Sequence, residues 1–241
     1  MGAPSLALAR ACVEALCLRH GVTLVTPDSY SPVRTLVRAS IAAVTPLTLA
    51  EVDTRVSFYV PRLVRELHDF VPDPVRALVA VEAPAVYLSA RAWGDPVMLV
   101  GVGAHEVGHH LQDERAREAA GVVGSVVHGA AYLFHETVRS DSEVTCYTHD
   151  LTAQVVVGDA DPDAYRIGIV DVLRSSYVLA PHAVDHAATA LRSAVASLRA
   201  RQLPGVGTPL HEMLRALVAG GWDPGPWASV IGGERVTAVP S

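Results

Sequence analysis

The sequence predicts a mostly helical α+β fold with one small sheet, and three observations carry that prediction. Apolar residues recur at helical spacing along most of the 241 residues. Helix start and stop pairs punctuate the chain at regular intervals. Only one stretch, 76–90, has the Val-rich texture of strands. Half of all residues are hydrophobic, which argues for a packed core rather than disorder, and the length suits a single domain.

The elements follow in order. Leu6 to His20 has apolar residues at helical spacing, and Gly21 stops it. Ser31-Pro32 is a cap followed by a first-turn proline, opening a helix to about Ala43. Thr48 and Glu51 have capping-box spacing, so another helix starts near Leu49; Pro61 kinks or splits it, and Pro72 and Pro74 end it. Arg76–Glu82 and Ala85–Ala90 read as strands separated by Pro84. Asp95-Pro96 caps a helix that runs through Glu118. Further helices are expected over about Val122–Val138, Ser140–Val157, Ala164–Leu179 and His182–Arg201, with a turn at Asp159–Asp163. Thr208-Pro209 opens a last helix to Ala219, stopped by Gly220-Gly221, and a Trp- and Pro-rich tail packs back on the body.

Composition excludes several functions. All 19 basic residues are Arg; there is no Lys and no Asn, a bias that suits a GC-rich genome. The chain therefore has no phosphate-loop Lys, no Schiff-base Lys and no Asn-linked glycosylation site. The net charge is −6 and the arginines are scattered, so no nucleic-acid footprint is expected. Three sparse cysteines, Cys12, Cys17 and Cys146, give no disulfide framework. With no basic, signal-like N-terminus, they point to a cytoplasmic protein. The longest uncharged run in the helical stretches, Ala119–Phe134, is short for a membrane span and reads as a buried helix, so membrane contact is not expected.

One motif carries chemistry. Residues 105–109 read His-Glu-Val-Gly-His. One helical turn is about 3.6 residues, so two histidines four apart project from one face and can grip a single ion. Glu106, one residue on, sits where it can act as general base toward the water that a zinc ion activates. From the residue frequencies, about 0.02 chance matches are expected in a chain of this length. The motif also lies on an expected helix, behind the apolar run MLVGVGA, just after the strands.

The segment AHEVGHHLQ resembles the zinc-binding helix of the zincin metallopeptidases. It is most similar to the gluzincin side, including neutral zinc metallopeptidases and compact ImmA/IrrE-like enzymes. The resemblance spans about Ala85–Leu151 and implies a small twisted sheet packed on the active-site helix, with a helical C-terminal half. It implies Zn2+ as cofactor, His105 and His109 as ligands, Glu106 as catalytic base, and a downstream acidic third ligand. His110 has no ligand role in that pattern and reads as a packed or solvent-facing residue.

The segment SDSEVTCYTHDL, 140–151, resembles the gluzincin glutamate helix, in which the ligand Glu is followed four residues later by an Asp supporting a zinc-bound His. This chain departs from that pattern. With Glu143 as ligand, position 147 is Tyr; with Asp141 as ligand, position 145 is Thr. Glu143, Asp141 and Glu136 all stay open as the third ligand, with Glu143 favoured by residue type. Asp150, seven residues after Glu143 on the same helix face, is a candidate to support a ligand or a plain surface acid. Tyr177, His182, His186 and His211 lie where related peptidases place an oxyanion stabiliser. Cys146 reads as a buried thiol or a neighbour of the metal.

Three functions compete. The first is a zinc metallopeptidase whose strand Ala85–Ala90 forms the cleft rim and pairs with an extended peptide. The second is a non-proteolytic zinc enzyme of specialised metabolism acting on a small-molecule substrate. The missing Asp after the ligand Glu and the impossibility of an Asn substrate clamp keep it open. The third is a zinc-binding relict with four protein ligands. In each, residues 1–241 form one domain: 1–118 supply the N-terminal helices, sheet and metal helix, and 119–241 supply the helical half with the third ligand.

Overall fold

The computed structural model describes residues 2–44, 47–73, 81–177, 179–204 and 208–233. Helix α1, Leu6–Arg19, is capped by the Ser5 side chain and packs Ala9, Val13, Leu16 and Cys17 into the core. It ends at Gly21, whose φ of +66° only glycine adopts without strain. Strand β1, Thr23–Val25, follows, then α2, Pro32–Val44, and α3, Leu49–Arg55. The Thr48–Glu51 capping box is formed in full.

The third helix does not run on to Pro61. It stops at Arg55, and Phe58–Val60 forms strand β2, with Pro61 leading into α4, Arg62–Asp69. The β-branched and aromatic run Val-Ser-Phe-Tyr-Val has strand propensity that the upstream helical spacing hid. Strand β3 is Ala85–Tyr87, shorter than the expected 85–90, because Ser89 caps a short helix α5, Ala90–Gly94. Of the other expected strand, residues 76–80 lie outside the described residues, and Val81 and Glu82 are not in a strand.

The sheet order is β1-β3-β2, with β1 parallel and β2 antiparallel to β3. The central strand is buried on both faces, and its residues alternate. Val86 faces the main core, while Ala85 and Tyr87 join Val25, Val33 and Val60 in a second apolar cluster. Arg34, itself buried, donates to the carbonyls of Val25 and Leu88 and so ties β1 to the end of β3.

Beyond the sheet the chain is helical. Helix α6, Pro96–Phe134, starts at the Asp95 cap, which accepts from Val97 and Met98. It is broken at Ala120 and Gly121, where Gly121 has φ +61°. The next helix, α7, spans Glu136–Val156, so the helix boundary falls at His135 rather than Arg139. Helices α8 (Pro162–Ser175), α9 (Pro181–Arg199) and α10 (Pro209–Ala219) follow, then a 3-10 turn at Gly225–Trp227 and α11 (Ala228–Ile231). Trp222 and Trp227 are buried, so this part of the tail packs back on the body. Among the described residues, no helix is long and apolar enough to cross a membrane.

The contact between α6 and α7 positions the site. A Cβ on Gly101 would stand 3.1 Å from Asp150 Cα, and one on Gly108 would stand 3.1 Å from Cys146 Sγ. These two glycines, seven residues apart on one helix face, let the backbones approach closely enough for side chains of α7 to reach the motif.

Candidate metal centre

His105 and His109 lie one turn apart in the first segment of α6, facing α7. His105 Nδ1 is 2.6 Å from Asp150 Oδ2. An ionised carboxylate only accepts, so Nδ1 carries a ring proton and Nε2 faces the site. His109 Nδ1 lies 3.3 Å from Gln112 Oε1, and Gln112 is oriented by donating Nε2–H to the Ser142 carbonyl at 3.3 Å. His109 therefore also donates from Nδ1 and leaves Nε2 free.

The two Nε2 atoms are 3.2 Å apart. Glu143 brings one oxygen to 3.4 Å from His109 Nε2 and the other to 3.7 Å from His105 Nε2. Glu143 is fully buried, and its Oε2 has no hydrogen-bond partner. Its Oε1 accepts from the Tyr132 hydroxyl. A buried carboxylate costs several kcal/mol unless a cation compensates it. The two Nε2 atoms and the Glu143 carboxylate thus face one space. Around a tetrahedral ion with ligand distances of about 2.0–2.1 Å, neighbouring donors stand about 3.3 Å apart. The 3.2 Å between the two Nε2 atoms matches that spacing, and the carboxylate straddles the pair with a different oxygen toward each.

Cys146 also stands close. Its Sγ and a nitrogen of each histidine lie within 4.8 Å of one another, so His105, His109 and Cys146 could hold a metal ion. Glu143 is the stronger third donor on physical grounds. Its oxygens face both free Nε2 atoms, whereas Cys146 Sγ lies against Gly108 and within 3.8 Å of Gln112 Nε2. Burial pushes the Cys146 thiol well above its usual range when no ion is bound.

The field of the protein's own groups is strongly perturbed. Burial lowers His105, but the charge and hydrogen bond of Asp150 outweigh it and raise it to about 9. Burial takes His109 down to about 4 against the pull of Glu143. Burial raises Glu106 to about 8; His105 opposes the rise, and Glu143 and Asp150 add to it. Glu106 and both histidines line a cavity of about 360 Å³. Its other walls are Phe58 and Tyr59 of β2, and Ser125, His128 and Tyr132 from the second segment of α6.

No family model, curated protein or solved structure matches this chain significantly. The site is therefore read from its own geometry. His105, Glu106, His109 and Glu143 are brought together, and Asp150 stands directly behind His105. Asp141 is not at the site: it is exposed and pairs with His186 Nε2 at 2.8 Å. Its side chain leaves the opposite side of α7 from Glu143. Glu136 also points elsewhere, accepting from the Ala180 amide at 3.1 Å and so anchoring the start of α9. Tyr177 is half-buried and lines the cavity, its ring edge-on to Tyr147. His182 is exposed in the first turn of α9 and does not line the cavity. His211 does not line the cavity, and its Nε2 donates to the Ile231 carbonyl at 3.2 Å. His110 is buried, between the Tyr59 hydroxyl and the His20 carbonyl.

The structure adds residues that the sequence reading did not single out: Gln112, Ser142, Tyr132, Tyr59 and Asp113. Two had a usable signal. Gln112 lies three residues after His109, and Asp113 seven after Glu106, so both share the motif's helix face. Tyr59 and Tyr132 had none, because they arrive from a three-residue strand and from beyond the helix break.

Proposed function

We propose that the chain is a zinc-dependent metallohydrolase, most simply a metallopeptidase. The observation that carries this reading is the approach of His105 Nε2, His109 Nε2 and the buried Glu143 carboxylate, its Oε2 unpaired, to one another beside Glu106. His105, His109 and Glu143 would hold the ion, with Asp150 and Gln112 fixing the two imidazoles in the ligating tautomer. When bound, zinc supplies Lewis acidity, which makes water nucleophilic near neutral pH and polarises a carbonyl.

The protein's own groups do the rest. Glu106, in the cavity wall, takes a proton from the attacking water and delivers it to the leaving amine. Tyr132 and Tyr177 carry hydroxyls in the same cavity, and burial raises both above the ordinary tyrosine range, so both keep their protons. Tyr132 spends its single proton on Glu143, which leaves Tyr177 as the hydroxyl to donate to a developing oxyanion.

The strand available to a substrate is β2, not β3. Strand β3 is paired on both sides, while β2 has a free edge among the described residues and lines the cavity through Phe58 and Tyr59. An extended peptide would add there.

The test is Glu106→Gln. Zinc content should be unchanged, and turnover of a mixed peptide library should fall by about a hundred- to ten-thousandfold. Full turnover in the variant would sink the mechanism. No new termini with the wild-type zinc protein would remove the peptidase assignment and leave the hydrolase one.

A further inference from the structure

The cavity beside the motif has a second polar pole. Asp113 lines it and is only 4% exposed. An ionised carboxylate offers about four acceptor positions. Among the described residues Asp113 has a single donor, the Tyr59 hydroxyl at 3.3 Å, and that hydroxyl also lies 3.1 Å from His110 Nδ1. Among the described residues no arginine pairs with it; the nearby Arg117 is engaged with Glu66. Ser125, on the facing segment of α6, also lines the cavity; it is 1% exposed and its Oγ has no partner. One wall thus has an acid short of donors, another has an orphaned hydroxyl, and neither Arg nor Lys lines the space between.

We propose that this pole is a specificity subsite for a cationic group of the substrate, an ammonium or guanidinium seated on Asp113 with Ser125 as a second acceptor. The inference rests on reading the cavity as the substrate cleft. The reach fits. Asp113 is seven residues from Glu106, so the two stand about 10.5 Å apart along the helix. The α-amine of the residue being cleaved is too close to its own carbonyl to bridge that gap. A Lys or Arg side chain beside the scissile bond, extending about 6 Å from its Cα, covers most of it, and the Asp113 side chain covers the remainder. An amino terminus about three residues upstream, at about 3.3–3.6 Å per residue, would reach as well. The same wall disfavours an anionic side chain, which would meet Asp113 with no basic group to offset it.

The test separates this inference from the catalytic reading by measuring binding as well as cleavage. Titration calorimetry with the zinc-loaded Glu106→Gln protein would compare N-acetyl-lysine methylamide, N-acetyl-norleucine methylamide, N-acetyl-glutamate methylamide and a norleucyl tripeptide with a free amino terminus. The lysine compound should bind about tenfold or more tighter than the norleucine one, the scale of a charge-assisted hydrogen bond, and the glutamate compound weakest. A gain confined to the free amino terminus would keep the cationic subsite and assign it to the chain end. Asp113→Asn should bring the lysine-to-norleucine ratio close to one, and Ser125→Ala should lower it by a smaller factor. If either variant fails to fold, the ligand series on the Glu106→Gln protein still decides. Equal binding of the lysine, norleucine and free-amino-terminus compounds, or a preference for glutamate, overturns the proposal even if peptides are cleaved. A lysine preference in a protein that cleaves nothing retains the subsite and removes only the peptidase.

Discussion

The two segments of α6 are built on opposite plans. In the first, from Pro96 to the break at Ala120, the motif face is buried against α7, and its polar groups are tied: His105 to Asp150, His109 to Gln112. In the second, Gly121–Phe134, the polar residues Ser125, His128 and Tyr132 face the cavity, and the apolar Val123, Val127 and Phe134 are exposed. The first segment was expected to be a buried helix and is one. The second, within the uncharged run read as buried, is not: only Ser125 in it is fully buried. The difference teaches that a buried segment here combines an apolar face with close backbone approach at Gly101 and Gly108, and that an uncharged sequence alone does not bury one. A segment can be wholly uncharged and still serve as a wall lightly held from one side.

The largest effect that would break this contrast is Gly101→Ala. The added methyl would stand 2.9 Å from Asp150 Oδ1 and 3.1 Å from its Cα, so α7 must shift. Overpacking of this kind costs about 1–3 kcal/mol, read as a lowered midpoint in urea unfolding. Zinc affinity should fall with it, since Glu143 and Asp150 move together. Unchanged stability would mean that α7 is not clamped on α6 as described. Next comes Asp150→Asn, which keeps the shape and removes the charge behind His105. Losing such a supporting carboxylate lowers metal affinity by about ten- to hundredfold. A competition titration with a zinc chelator reads it.

A pH effect distinguishes the buried wall in a third way. His149 is buried on α7 beside Gly108, its Nδ1 has no partner, and burial lowers it to about 3. Its folded-state value lies below the unfolded value of about 6.5, so the unfolded chain binds the proton more readily. The neutral ring therefore contributes stability fully above about pH 6.5, and that contribution is lost as the pH falls toward 3. Relative to His149→Leu, the wild type should lose about 1.4 kcal/mol of stability per pH unit below 6.5. Parallel pH profiles for the two proteins would show that His149 is not held neutral.

Much of this was legible in the sequence, for reasons tied to particular residues. Asp95-Pro96 and the Thr48–Glu51 box announce their helices because capping is local chemistry. The His-Glu-Val-Gly-His spacing places two imidazoles on one face before any fold is known. Asp150 could be marked because seven residues return to the same side of a helix. What stayed hidden depends on distance in space. Strands β1 and β2 are three residues each, too short for an alternating pattern to stand out. Choosing Glu143 over Asp141 needed the rotation of α7 against α6. The approach of Tyr132 to Glu143 depends on the angle of the break at Gly121, which a glycine permits but does not dictate.

The smallest effect is also the sharpest test of the contrast between segments. Gly129 lies in the second segment at the cavity wall, and a Cβ there would meet nothing within 4 Å. Its φ is not in the left-handed region, so alanine fits the helix as it stands. Gly129→Ala should leave stability unchanged or raise it by up to about 1 kcal/mol, from helix propensity and a less flexible unfolded chain. The same substitution, Gly to Ala, thus has opposite signs on two stretches of one helix. If thermal unfolding shows Gly129→Ala to be as damaging as Gly101→Ala, the second segment is packed against something on its inner face, and the cavity described there does not exist in solution.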